Sequence, residues 1–436
     1  MLYRQLSSTF SIDLPLNHKS PFQPTTNLSS YGHFSPTRVG LIYPNRSNLS
    51  MRHIDSASAR IGVRIGIVMV SVLLMPHAAL AKGSVPAGED DIVHFPPWET
   101  RQVDQDGTSL VPAFLLSESS LLSSDSRAEL RRAREAKNST PKSSCPPMEG
   151  AHLSEIPNIR ECWAQEFYKS DSYRKLRSRY DVVMTPQEVG GVYTEVFTPK
   201  DGIASGNEDR VLINLHGGHF VFGARVISHL ESIPIASIGK IKVISIDYRM
   251  APEYKFPAAS QDVAAVYREI LKTYKPQNIG IYGCSAGGLL TAESIAWFQS
   301  ESLPMPAAVG MFCAGASYYQ EGVSPHIAVA IEGFPFEPSS TIPYFKDTDP
   351  SNPLAFPINS QQTMARFPPS LLIASTLDLA LSSAAHTHSV LVKLGVEADL
   401  HVWEGLRHAF FYDPDLPESR EAYDVIVRFF DKHLGH

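Results

Sequence analysis

Residues 283–288 read Gly-Cys-Ser-Ala-Gly-Gly and follow the apolar run Ile279-Gly280-Ile281-Tyr282. A serine between two small residues at a strand-to-helix junction forms a sharp turn that lifts its hydroxyl clear of both elements. Gly283 and Gly287 flank that turn. Such an elbow needs a buried strand before it and a helix after it, which commits this part of the chain to an α/β arrangement. One short Gly/Ser match arises easily by chance, so three further features matter. His216-Gly217-Gly218 also ends an apolar strand-like run. Asp378 follows the run Leu371-Leu372-Ile373-Ala374. His408 comes last, in a segment that reads as loop.

The rhythm of the chain from about residue 192 agrees. Short apolar strands are expected at 192–197, 211–215, 242–246, 279–282, 307–312, 370–374 and 398–403. Helices are expected at 258–274, 286–299, 382–394 and 418–433. Apolar strands alternating with helices indicate a mostly parallel sheet covered on both faces. In such sheets the site lies beyond the carboxyl ends of the strands, and all four features fall at such ends. Segments 126–137 and 159–180 carry helix-forming, amphipathic patterns and are expected to make an N-terminal helical cap. Residues 316–368 break the rhythm with Pro, Ser and aromatic residues and read as an insertion near the site.

The chemistry follows from residue types. A serine hydroxyl is a poor nucleophile at neutral pH and needs a base beside it. His408 would take the proton from Ser285 and return it to a leaving group. Asp378 would hold the imidazole's tautomer and stabilise its charged form. Asp399 and Glu404 are the rival acids, but Asp399 starts a strand and Glu404 lies off the expected acid loop. The N–H of Ala286 and others from the turn after His216 would meet a developing oxyanion. Each such donor is worth on the order of 3 kcal/mol. His386 and His388 form His-x-His on an expected helix, where residues two apart face different ways, so no metal pair is expected. No cofactor fingerprint stands out, and the net charge of −7 argues against nucleic acid. Cys284 and Cys313 read as packing residues, and Cys145 and Cys162 could pair in an oxidising compartment.

Taken together, residues 180–436 resemble the hormone-sensitive-lipase family of α/β-hydrolases. The likeness rests on His216-Gly217-Gly218-His219-Phe220 and on Asp247-Tyr248-Arg249-Met250-Ala251-Pro252-Glu253 with Phe256-Pro257-Ala258-Ala259. It rests also on Gly283-Cys284-Ser285-Ala286-Gly287-Gly288, Asp378 and His408. The resemblance implies a carboxylesterase with a helical cap, no metal, and a preference for esters of short or medium acyl chains. Ser285, Asp378 and His408 match the family's triad, and Gly218, His219 and Ala286 its oxyanion donors. Three positions depart from the pattern. His219 replaces a third glycine and should narrow the pocket or add a polar group there, Cys284 replaces the acid before the nucleophile, and Ser382 replaces a second acid. An amide, carbamate or lactone hydrolase would use the same triad. A binding protein that kept the fold without turnover is a further alternative, against which all three triad residues count. The expected partner is a small-molecule ester. Oligomeric state is left open, a homodimer included.

The first 180 residues are read differently. Residues 1–50 are rich in Ser, Pro, Asn and Thr without period, which favours disorder or a non-native extension. Residues 51–81 combine Met51, Arg52, Arg60 and Arg64 with an apolar run at 65–75 and Ala79-Leu80-Ala81. That is the pattern of a secretory signal peptide. The run is about half the ~20 residues a membrane span requires, so no stable span is expected and an uncleaved anchor at 65–75 is the rival. Residues 82–180 then form linker and cap, and 181–436 the catalytic domain of an exported protein. Expression from Met51 should yield an exported chain whose N-terminus lies near Lys82. N-terminal sequencing that finds Met1 on the mature protein would refute this.

Overall fold

The computed structural model describes residues 109, 116–139, 143–148, 150–332 and 342–435. The expected extension 1–50, the expected signal segment 51–81 and most of the expected linker lie outside these. The described residues from Leu116 onward belong to one compact unit.

The strands are β1 (Val182–Val189), β2 (Val192–Pro199), β3 (Val211–Leu215), β4 (Lys242–Ile246), β5 (Ile279–Cys284), β6 (Ala308–Phe312), β7 (Ser370–Leu377) and β8 (Ala398–Arg407). They form one sheet in the order β1-β2-β4-β3-β5-β6-β7-β8. β1 pairs antiparallel with β2 and β2 antiparallel with β4, while β4, β3, β5, β6, β7 and β8 run parallel. Every residue of β3, β5 and β6 is buried, as parallel strands covered on both faces must be. β1 was not anticipated. Its Thr185, Pro186, Gln187 and Glu188 are exposed, as suits the sheet edge, and only Val182 is fully buried.

The helices longer than one turn, among the described residues, are α1 (Ser124–Ser139), α2 (Ile156–Lys169), α3 (Asp171–Arg179), α4 (Ile227–Gly239), α5 (Ala258–Ile270), α6 (Ala286–Ser300), α7 (Ser324–Glu332), α8 (Leu381–Lys393) and α9 (Pro417–His433). α5 stops at Ile270, short of the expected 274, and Leu271–Tyr274 close it as hydrogen-bonded turns. α4 was missed outright. It is buried from Ile227 to Ala236 and contains Pro234, so it shows no polar face and no 3.6-residue rhythm. Among the described residues no helix is long and apolar enough to cross a membrane.

The cap helices reach the loop after β3 directly. Arg160 on α2 donates to the Val221 and Ala251 carbonyls and pairs with Glu253 at 2.6 Å. Tyr168 donates to the Arg225 carbonyl at 2.7 Å, and Trp163 packs edge-on against Phe222. Residues of the insertion pack nearby. Tyr344 stacks on Phe220 at 4.4 Å and accepts the Ala259 N–H. α7 begins against Ser382, whose hydroxyl accepts the N–H groups of Val323 and Ser324. The serine at the family's acid position thus caps a neighbouring helix.

Cys145 and Cys162 form a disulfide that ties the segment before α2 to that helix, across a separation of 17 residues. Closing a loop of that size stabilises by about 3 kcal/mol in the chain-entropy account. Replacing both cysteines by Ala should lower the denaturation midpoint accordingly, read by urea melts with reducing agent absent. An unchanged midpoint would show that the link contributes nothing.

Candidate active site

Ser285 joins β5 to α6 with φ 58° and ψ −122°, a conformation rare for a residue with a side chain. Space for the turn comes from glycine. A β-carbon on Gly287 would lie 1.8 Å from the Leu215 carbonyl oxygen, and one on Gly283 would lie 2.1 Å from the same atom. The elbow therefore sits backbone to backbone against the end of β3. The N–H of Ser285 donates to the Phe312 carbonyl at 2.8 Å, fixing it to the end of β6. Ala286 opens α6, where N–H groups have no partner within the helix.

The turn after β3 begins at His216, fully buried and stacked on Tyr248 at 4.2 Å. Its Nδ1 lies 2.7 Å from the Gly217 carbonyl oxygen, so this nitrogen carries the hydrogen. Burial pushes its pKa down to about 4, and the ring is neutral at physiological pH. Tyr248 donates its hydroxyl to the His216 carbonyl at 2.7 Å. Gly218, His219 and Phe220 then follow with φ of 115°, 59° and 59°. A β-carbon on Gly218 would lie 2.0 Å from the Phe222 carbonyl oxygen, so glycine is required there. His219 Nδ1 lies 2.6 Å from the Tyr319 hydroxyl, a residue of the insertion.

Asp378 leaves β7 fully buried, and His408 leaves β8. His408 Nδ1 and Asp378 Oδ1 are 2.6 Å apart, and the same oxygen accepts the Ala380 N–H at 2.8 Å. A carboxylate only accepts, so Nδ1 carries the proton and Nε2 presents a lone pair. The rivals stand apart from this pair. Asp399 and Glu404 are both exposed, and Glu404 accepts from Ser119. His388 contacts the Ala398 carbonyl at 3.2 Å while His386 is exposed, so the two imidazoles diverge.

Ser285 and His408 flank one short stretch of chain. Ser285 N–H donates to Phe312 O, and the next residue, Cys313, accepts the Ala409 N–H on its sulfur at 3.3 Å. Ligand atoms of Cys313, Asp378 and His408 all lie within 4.8 Å of one another. Burial pushes the thiols of Cys284 and Cys313 up, so both are neutral. The structure thus gathers Ser285, Asp378, His408, Ala286 and the turn His216 to His219 at the carboxyl ends of β3, β5, β7 and β8.

One group was not foreseen. Glu231 on α4 is buried behind the turn and the elbow. Its carboxylate accepts the Gly217 N–H at 2.9 Å, the Asn214 amide at 2.7 Å and the Tyr412 hydroxyl. Burial raises its pKa to about 7 against the lowering effect of those donors. The available signal was faint: Glu231 is the sole charged residue in Ile-Ser-His-Leu-Glu-Ser-Ile-Pro-Ile-Ala-Ser-Ile-Gly.

Comparison with known proteins places the arrangement. Residues 212–412 match a family model described as the alpha/beta hydrolase fold. An acetyl-hydrolase of Streptomyces hygroscopicus is 27% identical over 234 residues, covering 52% of this chain and 77% of that protein. A versiconal hemiacetal acetate esterase of Emericella nidulans is 32% identical over 136 residues, covering 30% of this chain and 46% of that protein. A crystal structure of esterase E25 aligns with TM-score 0.60 at 28% identity, over 74% of this chain and 98% of that one. An esterase of the bacterial hormone-sensitive lipase family aligns with TM-score 0.58 at 26% identity, over 72% and 99%. The chain has the α/β-hydrolase fold and is similar in sequence and structure to esterases, among them one of the bacterial hormone-sensitive lipase family.

Proposed function

We propose that this carboxylic-ester hydrolase works through Ser285, His408 and Asp378, and that it prefers short acyl groups. The observation that carries the reading is the buried 2.6 Å contact between His408 Nδ1 and Asp378 Oδ1 beside a strained serine elbow. With its proton on Nδ1, His408 accepts the Ser285 proton at Nε2 as the serine oxygen attacks the ester carbonyl. The carbonyl oxygen becomes an anion, met by the N–H groups of Gly218, His219 and Ala286. Collapse breaks the bond to the alcohol, which leaves with the proton from His408. Water then attacks the acyl-serine by the same route, releasing the acid and restoring the serine. Asp378 steadies the imidazolium at each stage.

The preference for short acyl chains has two supports. His219 places an imidazole, tied to Tyr319, where a glycine would leave open space. Two of the similar proteins are named an acetyl-hydrolase and a versiconal hemiacetal acetate esterase. Export after cleavage near Ala81 stays part of the proposal, and the Cys145–Cys162 disulfide supports an oxidising compartment.

The test is hydrolysis of p-nitrophenyl esters of increasing chain length, with Ser285→Ala and His219→Gly alongside. Acetate or butyrate should be the best substrate. Ser285→Ala should lose roughly 10⁴- to 10⁶-fold in kcat. His219→Gly should keep activity and accept bulkier esters. Turnover that survives in Ser285→Ala would reject the nucleophile, and an unaltered ester preference in His219→Gly would reject the steric role of that ring.

A further inference from the structure

The oxyanion donors in the reading above are backbone N–H groups, so their aim depends on peptide planes and not on side chains. A peptide plane carries its C=O and its N–H on opposite sides. The His216 Nδ1–H holds the Gly217 carbonyl, and this turns the Gly218 N–H the other way, out of the turn. The plane before it, between His216 and Gly217, is held at both ends. Tyr248 donates to its carbonyl, and Glu231 Oε1 accepts its N–H at 2.9 Å. Three successive positive φ values follow at Gly218, His219 and Phe220. Two of these residues have side chains, and such a conformation persists only where the surroundings over-determine it.

Glu231 reaches further than this turn. The oxygen that takes the Gly217 N–H also takes the Tyr412 hydroxyl. Tyr412 stands four residues after His408, in the one-turn helix Phe410–Tyr412, and its N–H donates to the Ala409 carbonyl at 3.0 Å. The backbone of Cys284, the residue before Ser285, lies near enough to the carboxylate to lower its pKa. A β-carbon on Gly217 would lie 2.8 Å from the Tyr412 oxygen and 2.9 Å from the Cys284 carbonyl, so the three segments leave no room for slack around this carboxylate. Asn214 closes the remaining side from β3 and is itself held by Ser245.

We infer that Glu231 is a positioning residue for catalysis, a single buried acceptor that sets the oxyanion turn, the nucleophile strand and the histidine loop relative to one another. The inference rests on the serine-esterase reading and deepens it. Glu231 touches neither substrate nor reacting atoms, and acts by holding the Gly217 N–H and the Tyr412 hydroxyl on one oxygen. Its loss should therefore weaken the transition state more than the ground state, because a displaced donor fails chiefly where charge develops.

The experiment compares the unmodified chain with Glu231→Met, which keeps the side chain's length and removes its acceptors, with Glu231→Gln, and with Tyr412→Phe. Active sites are counted first with a fluorophosphonate, so that a smaller folded fraction does not count as lost rate. Per active site, Glu231→Met should lose about 10- to 100-fold in kcat, the scale of a misplaced catalytic group, with KM changed by less than about threefold. A trifluoromethyl ketone, which becomes an oxyanion when Ser285 adds to it, should bind weaker by a similar factor. Glu231→Gln keeps one acceptor oxygen and should recover most of both losses. Should Glu231→Met fail to fold, Tyr412→Phe carries the test, and its kcat and ketone affinity should fall together by several-fold. Unmodified kcat and ketone affinity in the folded variant, or a rise in kcat, would overturn the inference alone. Absence of Ser285-dependent turnover in the unmodified chain would overturn the esterase reading and this inference with it.

Discussion

The Leu215 carbonyl stands where a β-carbon on Gly283 or Gly287 would have to be. That approach of backbone to backbone is the constraint on which the site depends. It brings the strand carrying Ser285 against the turn carrying Gly218 and His219, as the proposed reaction at one carbonyl group requires. A methyl group at either position would push the two apart by more than a hydrogen bond can stretch. The parallel pairing of β3 with β5, from Val211 opposite Ile279 to Leu215 opposite Gly283, ends both strands at the same level. β6 and β7 extend the same edge, and the Asp378 and His408 loops leave from it.

Around that edge the protein replaces water with fixed partners. His216 is kept neutral by burial, so it serves as a rigid strut and not as a charge. The His408–Asp378 pair is buried on both sides, which strengthens its hydrogen bond and fixes the tautomer. Glu231 is the costly member. Its pKa of about 7 reflects the penalty of burying a carboxylate, offset in part by the Gly217, Asn214 and Tyr412 donors. Such a group lowers stability as pH rises from its ordinary value of 4.5 to about 7, where the folded chain still holds a proton that the unfolded chain has given up. Sites of this kind commonly trade stability for preorganisation.

Much of this was legible in the chain. Ser285, Asp378 and His408 lie in loops that directly follow apolar strands, and period and order sufficed to place them. Asp378 was preferred to Asp399, which starts a strand, and to Glu404, which lies off the expected acid loop. What escaped was hidden by burial. α4 has no polar face, carries Pro234 and is rich in Ile, so neither its helical period nor its propensity stood out. Glu231 went unseen with the helix that carries it. β1 escaped for the opposite reason, since its exposed middle residues mask the strand pattern. Tyr319 and Tyr412 reach the site across 100 and 181 residues, to His219 and Glu231 respectively, and no local pattern reports such contacts.

The central claim is that the Ser285 oxygen carries the acyl group between two half-reactions. Brief reaction of the chain with p-nitrophenyl acetate, acid quench and peptide mapping by mass spectrometry would show this directly. The account predicts one acetyl group per molecule, on the peptide containing Ser285 and on the serine itself. Steady turnover with no acetyl on Ser285, or with the label on another residue, would contradict it.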